Sequence, residues 1–310
     1  MITKTNINVF LVFIVSLAYA SVYLSKNYVG VWDSDLILSV DLNRPWVYRQ
    51  LVPLLARLIS ALGVAPDLSI ALIVTLSGVG LYVSLRRLAL ILYGNSDTLE
   101  VIVVVSVFLG MLLFGYKRLH YDLMTAFLFT LAPSLLLELK YDKYALLFPL
   151  ICLNRETSFL LVLFWFVIIL EKISFEKIWL FLYQVFVWLG IRLILNTVFS
   201  NNGGADAWIE PLKNVGRFIN NPLTTILHFF ITAVLLYLVI KDWKYKPRFF
   251  KIAFMVFAPL LTSMYFVMGQ AFEVRVFWEI YPVIVILSYP TIVELSKLFV
   301  RNSETLLERA

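Results

Sequence analysis

The stretch Tyr144–Leu170, YALLFPLICLNRETSFLLVLFWFVIIL, decides how this chain folds. It is apolar throughout except at its centre, where Asn154, Arg155, Glu156 and Thr157 interrupt it, with Pro149 just before. One continuous helix would bury Arg155 and Glu156 at mid-membrane. Two short half-spans would instead meet at the NRET turn on the outer side. Charge placement separates these readings. With half-spans, the downstream cytoplasmic segments hold ten basic residues: Lys172, Lys177, Lys241, Lys244, Lys246, Arg248, Lys251, Lys297, Arg301 and Arg309. The outer loops then hold three, Lys213, Arg217 and Arg275. A single span inverts the ratio, against the excess of Lys and Arg in cytoplasmic loops. The half-span reading follows, with the broken ends shielded by protein or a water-filled cavity.

Working outward, apolar runs close to the ~20 residues that cross a bilayer recur along the chain. They are Asn8–Ser25, Asp67–Leu85, Leu99–Gly115 and Leu123–Leu139 before the broken segment, then Ile178–Val198, Leu223–Ile240, Phe249–Gly269 and Val276–Phe299 after it. The expected fold is therefore all-α: one polytopic transmembrane domain over residues 1–310, about ten membrane segments, both termini cytoplasmic. Composition agrees, since 61% of residues are hydrophobic and only 15% charged, against about 25% charged in soluble domains. The runs are continuous rather than alternating, which excludes a β-barrel. A single cysteine inside an apolar run and two distant histidines leave no disulfide framework and no thiolate or histidine-rich metal centre. The net charge of +6 reflects loop bias rather than nucleic-acid binding. Asn8–Tyr23 is apolar enough to stay as a first span, with no convincing cleavage site after it.

The first outer loop carries the densest charge. Trp32–Leu58, WDSDLILSVDLNRPWVYRQLVPLLARL, holds Asp33, Asp35 and Asp41 together with Arg44, Arg49 and Arg57. From Pro45 onward, Val47, Leu51, Leu54, Leu55, Leu58 and Leu62 fall on one helical face, with Arg49, Gln50 and Arg57 largely opposite. That spacing predicts a short amphipathic helix in the interface, with Pro45 in its first turn. The other long loop, Phe199–Pro222, reads as flexible or lid-like from its NNGG and Pro211. No repeat of 20–50 residues is present.

This topology gathers charge on one side. Asp33, Asp35, Asp41, Arg44 and Arg49 share the outer face with the YKRLHYD cluster containing His120 and Asp122, with Asn154, Arg155 and Glu156, and with Glu273 and Arg275. Charged groups at membrane depth are costly and tend to mark ligand or ion sites. Arginine forks suit phosphate, and carboxylates beside them suit proton abstraction or ion pairing. The same residues also fit plainer roles. The loop acids read equally as solvated, Arg155–Glu156 as an ion pair stitching the half-spans together, and Glu273–Arg275 as a topogenic turn. His228 in LTTILHFF fits a packed histidine better than a ligand. No GxxxxGK[ST], GxSxG or HExxH motif occurs.

An N-terminal span, an acidic first outer loop leading into an interfacial helix, and further acid/base groups on the same face resemble the GT-C class of integral-membrane glycosyltransferases. The stretches RPWVYRQLVPLL, YDLMTAFLFTL, LNRETSFLL and EVRVFWEIYP also look like recurring segments of bacterial multi-pass membrane proteins. The resemblance implies an enzyme of the bacterial inner membrane that moves a sugar from a polyprenyl-phosphate carrier to a lipid-linked or glycan acceptor. It carries the catalytic first-loop acid onto Asp33 or Asp35, with Asp41 the weaker choice. The remaining outer-face residues, Asp41, Arg44, Arg49, His120, Asp122, Asn154, Arg155, Glu156, Glu273 and Arg275, would bind substrate. No soluble cofactor is implied, and a divalent cation would lack a clear ligand set. Two departures stand out: the chain is short for the class, and no soluble acceptor-binding domain follows the spans. The rival reading is a transporter or lipid flippase with a charged midplane site, and a third is an assembly subunit without chemistry.

Overall fold

A computed structural model describes residues 4–25, 34–113, 120–204, 209, 211–268 and 272–307. The described residues form thirteen α-helices and no extended strand. In order these are α1 (Lys4–Ser25), α2 (Ser34–Ser39), α3 (Leu51–Ser60), α4 (Pro66–Tyr93), α5 (Asp97–Leu113), α6 (Asp122–Leu137), α7 (Tyr141–Asn154), α8 (Phe159–Glu171), α9 (Phe175–Val198), α10 (Pro211–Asn220), α11 (Pro222–Ile240), α12 (Arg248–Met268) and α13 (Tyr281–Leu307). Four of them, α4, α9, α11 and α12, are long and apolar enough to cross a bilayer, as in a multi-pass membrane protein. Two-thirds of the most apolar window of α4 is buried, against 6% for α11. Both are apolar around their whole circumference, so α4 is the core helix and α11 is left with a face that only lipid would cover. α9 also exposes large apolar side chains, Phe186, Leu189 and Leu193 among them, a surface that water would not tolerate.

The broken segment folds as two helices. α7 ends at Asn154, Arg155 is extended, a 3-10 turn covers Glu156–Ser158, and α8 begins at Phe159. Helix ends leave carbonyls without partners, a serious cost away from water. Here α9 supplies the donors: Arg192 Nη2 bonds the Cys152 carbonyl at 2.8 Å and Trp188 Nε1 bonds the Glu156 carbonyl at 3.3 Å.

Two of the prolines inside helices, Pro149 and Pro290, are handled the same way. A proline lacks the N–H that would satisfy the carbonyl four residues earlier. Pro149 frees the carbonyl of Ala145, which accepts from Tyr183 Oη at 2.7 Å. Pro290 frees that of Ile286, which accepts from Tyr93 Oη, also at 2.7 Å. Close helix approach needs glycine at Gly110, where a Cβ would sit 2.8 Å from the Tyr281 ring, whose hydroxyl donates to the Ser106 carbonyl.

Two expectations need correction. Pro45 does not open the amphipathic helix. It follows a cis bond from Arg44 and precedes a 3-10 turn at Trp46–Tyr48, and the α-helix starts only at Leu51. In that shorter helix Leu51 turns inward, while Leu54 and Leu58, with Leu62 just beyond, stay exposed as an outward apolar stripe. The stretch Phe199–Pro222, read as a flexible or lid-like loop, contains a helix, since α10 occupies ten of its residues. α10 exposes Leu212, Val215 and Ile219 on one face and buries Asn214 on the other. It is a second helix with the pattern of an interfacial element.

Candidate functional site

The polar residues of the connections gather at one end of the bundle. Arg49, just before α3, reaches Glu156 in the broken segment, with Nε 3.1 Å from Oε2 and Nη2 bonded to Oε1. Its Nη1 donates to the Tyr121 hydroxyl, and its guanidinium lies 4.4 Å above the Tyr121 ring centroid. Arg275, in the 3-10 turn before α13, donates to the same hydroxyl at 3.0 Å and pairs through Nη2 with Glu273. Its Nη1 is 3.8 Å from Asp122 Oδ1, and Arg155 Nη1 is 4.0 Å from the same oxygen. Arg155 Nε lies 3.0 Å from Glu279 Oε1, which also accepts from the Thr157 hydroxyl. Asn154 Nδ2 bonds Thr125 Oγ1 at 2.8 Å, at the start of α6. Tyr121 is thus the hub: its oxygen takes two arginines and its ring underlies a third, Arg155 at 5.8 Å.

Burial is close to complete except at Glu156, whose side chain is 31% exposed. Asp122 and Glu279 have 0% exposure and Arg155 3%. Charges this far from water persist only when paired. Four carboxylates face three arginines, and Arg192 on α9 acts on Glu156 as the fourth cation, so the formal charges cancel. The two carboxylates nearest the break are pushed in opposite directions. Burial would raise Glu156, but the charge and hydrogen bonds of Arg49 outweigh it and hold the group below the usual carboxylate range. Burial raises Glu279, with Arg155 and Thr157 pulling against it. Carboxylates separated in this way are the ordinary raw material of acid and base roles. His120 is driven down to about 3 by burial first and then by Arg49 and Arg275, so its imidazole is neutral.

Of the residues expected from sequence, Arg49, Asp122, Asn154, Arg155, Glu156, Glu273 and Arg275 join this network directly, and His120 stacks edge-on against Tyr121 at 5.0 Å. Arg44 does not join. It ties the first loop to the segment before α10, with its N–H on the Gly203 carbonyl (2.7 Å), Nε on Asn202 (3.0 Å) and Nη2 on Gly204 (3.2 Å). Gly204 has φ +92° and a Cβ there would meet the Arg44 carbonyl at 2.5 Å, so this seam requires glycine. Asp35 and Asp41 are exposed on the first loop. Asp33 lies outside the described residues, as do Tyr116–Leu119 of the YKRLHYD cluster. Sequence reasoning missed Tyr121, Glu279, Thr157 and Arg192 as members. Arg192 left a legible signal, an arginine inside an otherwise apolar span.

Beside the network lies an apolar cavity of about 460 Å³. Phe218 of α10, Leu236 of α11, Tyr265 of α12 and Ile284 of α13 line it, together with Val274 and Phe277, which bracket Arg275 in sequence. Among the described residues no group of three His, Cys, Asp or Glu side chains is placed to hold a metal ion. No family model matches the chain, and neither curated proteins nor solved structures give a match.

Proposed function

We propose that the chain is a membrane glycosyltransferase that moves a sugar from a polyprenyl-phosphate donor to a lipid-linked or glycan acceptor at the outer face of the bacterial inner membrane. The observation that carries this reading is the pairing of a buried arginine–carboxylate network with an apolar cavity at its edge, the two halves that an amphiphilic phospholipid-like donor needs. In this reading ten helices, α1, α4–α9 and α11–α13, are membrane segments, α7 and α8 as half-spans, and both termini are cytoplasmic. α3 and α10 lie in the outer interface.

A hydroxyl acceptor is a weak nucleophile, so a carboxylate must take its proton as the bond to the sugar forms. Asp33 or Asp35 fills this role, from a loop that Arg44 pins to the start of the α10 segment. The phosphate leaves with the electron pair of the broken glycosidic bond, and donors already fixed in a dry site stabilise that charge without reorganising. The apolar cavity takes the first isoprene units. The test is release of polyprenyl phosphate from a radiolabelled sugar donor by the purified chain in vesicles. The Asp33→Asn, Asp35→Asn double variant should lose transfer by about 10²–10⁴ while still inserting. Full activity in that variant would remove both residues from the mechanism.

One feature favours transport instead: broken helices with a buried charge pair are the usual construction of a transporter's midplane site. A transporter would consume no donor, and Asp→Asn changes would alter ion coupling or affinity rather than turnover.

A further inference from the structure

His120 is the one neutral base inside the network, and its hydrogen-bonding capacity is unused. It is 1% exposed, and among the described residues neither Nδ1 nor Nε2 has a hydrogen-bond partner. A neutral imidazole carries one N–H donor and one acceptor lone pair. Burying both unpaired is unfavourable, and such a group calls for a water or a ligand. The charges around it choose between ligand classes. The guanidiniums of Arg49 and Arg275 both act on the ring, which disfavours a cation and favours an anion at its N–H.

The neighbouring arginines show what else such an anion would meet. Arg49 is committed through all three of its bonds to Glu156 and Tyr121. The hydrogen-bonding nitrogens left over are Nε of Arg275 and Nη1 of Arg155, since Nε of Arg155 faces Glu279 at 3.0 Å. With the formal charges of the network already cancelled, an arriving anion is held by these unspent donors rather than by excess charge.

We propose that His120, as a neutral imidazole, donates its N–H to a phosphate oxygen of the lipid-linked donor, at a seat completed by the unspent N–H groups of Arg275 and Arg155. This rests on the transferase reading for the identity of the anion. No proton is transferred at this contact. A fixed neutral donor stabilises charge developing on the leaving phosphate and stays in place through the reaction.

The chain contains only two histidines, so ¹⁵N-histidine labelling of the full protein in nanodiscs gives two imidazoles, and His120→Gln identifies which is which. Adding undecaprenyl phosphate should shift the His120 N–H nitrogen, while undecaprenol, the same chain without phosphate, should not. His120→Phe should weaken undecaprenyl phosphate binding roughly tenfold, and His120→Gln, which keeps an N–H, should recover most of the loss. An unmoved His120 signal with undecaprenyl phosphate bound, or equal binding by His120→Phe, would overturn the assignment. A response to inorganic phosphate with none to undecaprenyl phosphate would overturn the lipid donor as ligand. The two readings fail separately: a shifted His120 without any sugar transfer removes the transferase and keeps the anion seat, whereas transfer with an indifferent His120 does the reverse.

Discussion

The two ends of the helical bundle both carry ion pairs, and they are built differently. At the end holding Tyr121, the partners are Arg49–Glu156 and Arg155–Glu279, drawn from distant parts of the sequence, and the local pair Arg275–Glu273, all mostly sealed from solvent except for Glu156, 31% exposed. At the opposite end the pairs are Arg86–Glu100, Arg87–Glu138, Lys140–Glu138, Lys241–Glu294 and Arg248–Glu171. Most of these side chains lie nearer the surface, with Arg248 75% and Glu294 52% exposed, Arg86–Glu100 being the partly buried exception. A buried cation at that end, Lys246, donates to the Leu238 carbonyl at the end of α11 and so caps a helix. Exposed pairs gain little because water screens them, whereas buried charges are expensive and persist only when something requires them. The end that accepts this cost is the one to suspect of function.

The contrast can be broken by single substitutions. Arg155→Met leaves Glu279 buried without its arginine and should cost about 3–5 kcal/mol, read as a lowered unfolding midpoint in detergent. Arg49→Lys replaces a planar fork by a point charge and forfeits part of the Glu156 and Tyr121 bonding, an expected loss of about 1.5–3 kcal/mol. Tyr183→Phe removes the donor to the carbonyl that Pro149 frees, for about 1 kcal/mol. That loss should vanish in a Pro149→Ala background, where the helix supplies its own N–H, and an unchanged loss in the double-mutant cycle would refute the compensation. Arg248→Ala at the other end should cost about 0–1 kcal/mol. A cost there as large as that of Arg155→Met would erase the distinction between the ends.

Most of the helix framework was legible because run length and charge asymmetry are local signals. Leu223–Ile240 and Phe249–Gly269 fall within a residue of α11 and α12, and the break at NRET follows from where lysines and arginines lie. α10 was not legible as a helix because PLKNVGRFIN has few apolar residues and follows an NNGG turn. Its signal was the spacing of Leu212, Val215 and Ile219. The site was half legible. The sequence groups arginines and acids by side, but it cannot say that Arg49 pairs with Glu156 while Arg44 serves a loop seam, since pairing across 107 positions is set by packing. Nor does anything local announce Tyr121 as a hub, for a tyrosine at a span end reads first as an interface anchor.

The measurement closest to the central claim compares the two ends in one assay. Release of polyprenyl phosphate from a labelled sugar donor is followed in vesicles for the wild type, Arg155→Lys and Arg248→Lys, each at equal folded protein. Arg155→Lys should lose most transfer, because a point charge cannot replace a planar donor in the network, while Arg248→Lys should match the wild type. Equal activity in all three would contradict the claim that the buried end is the working one.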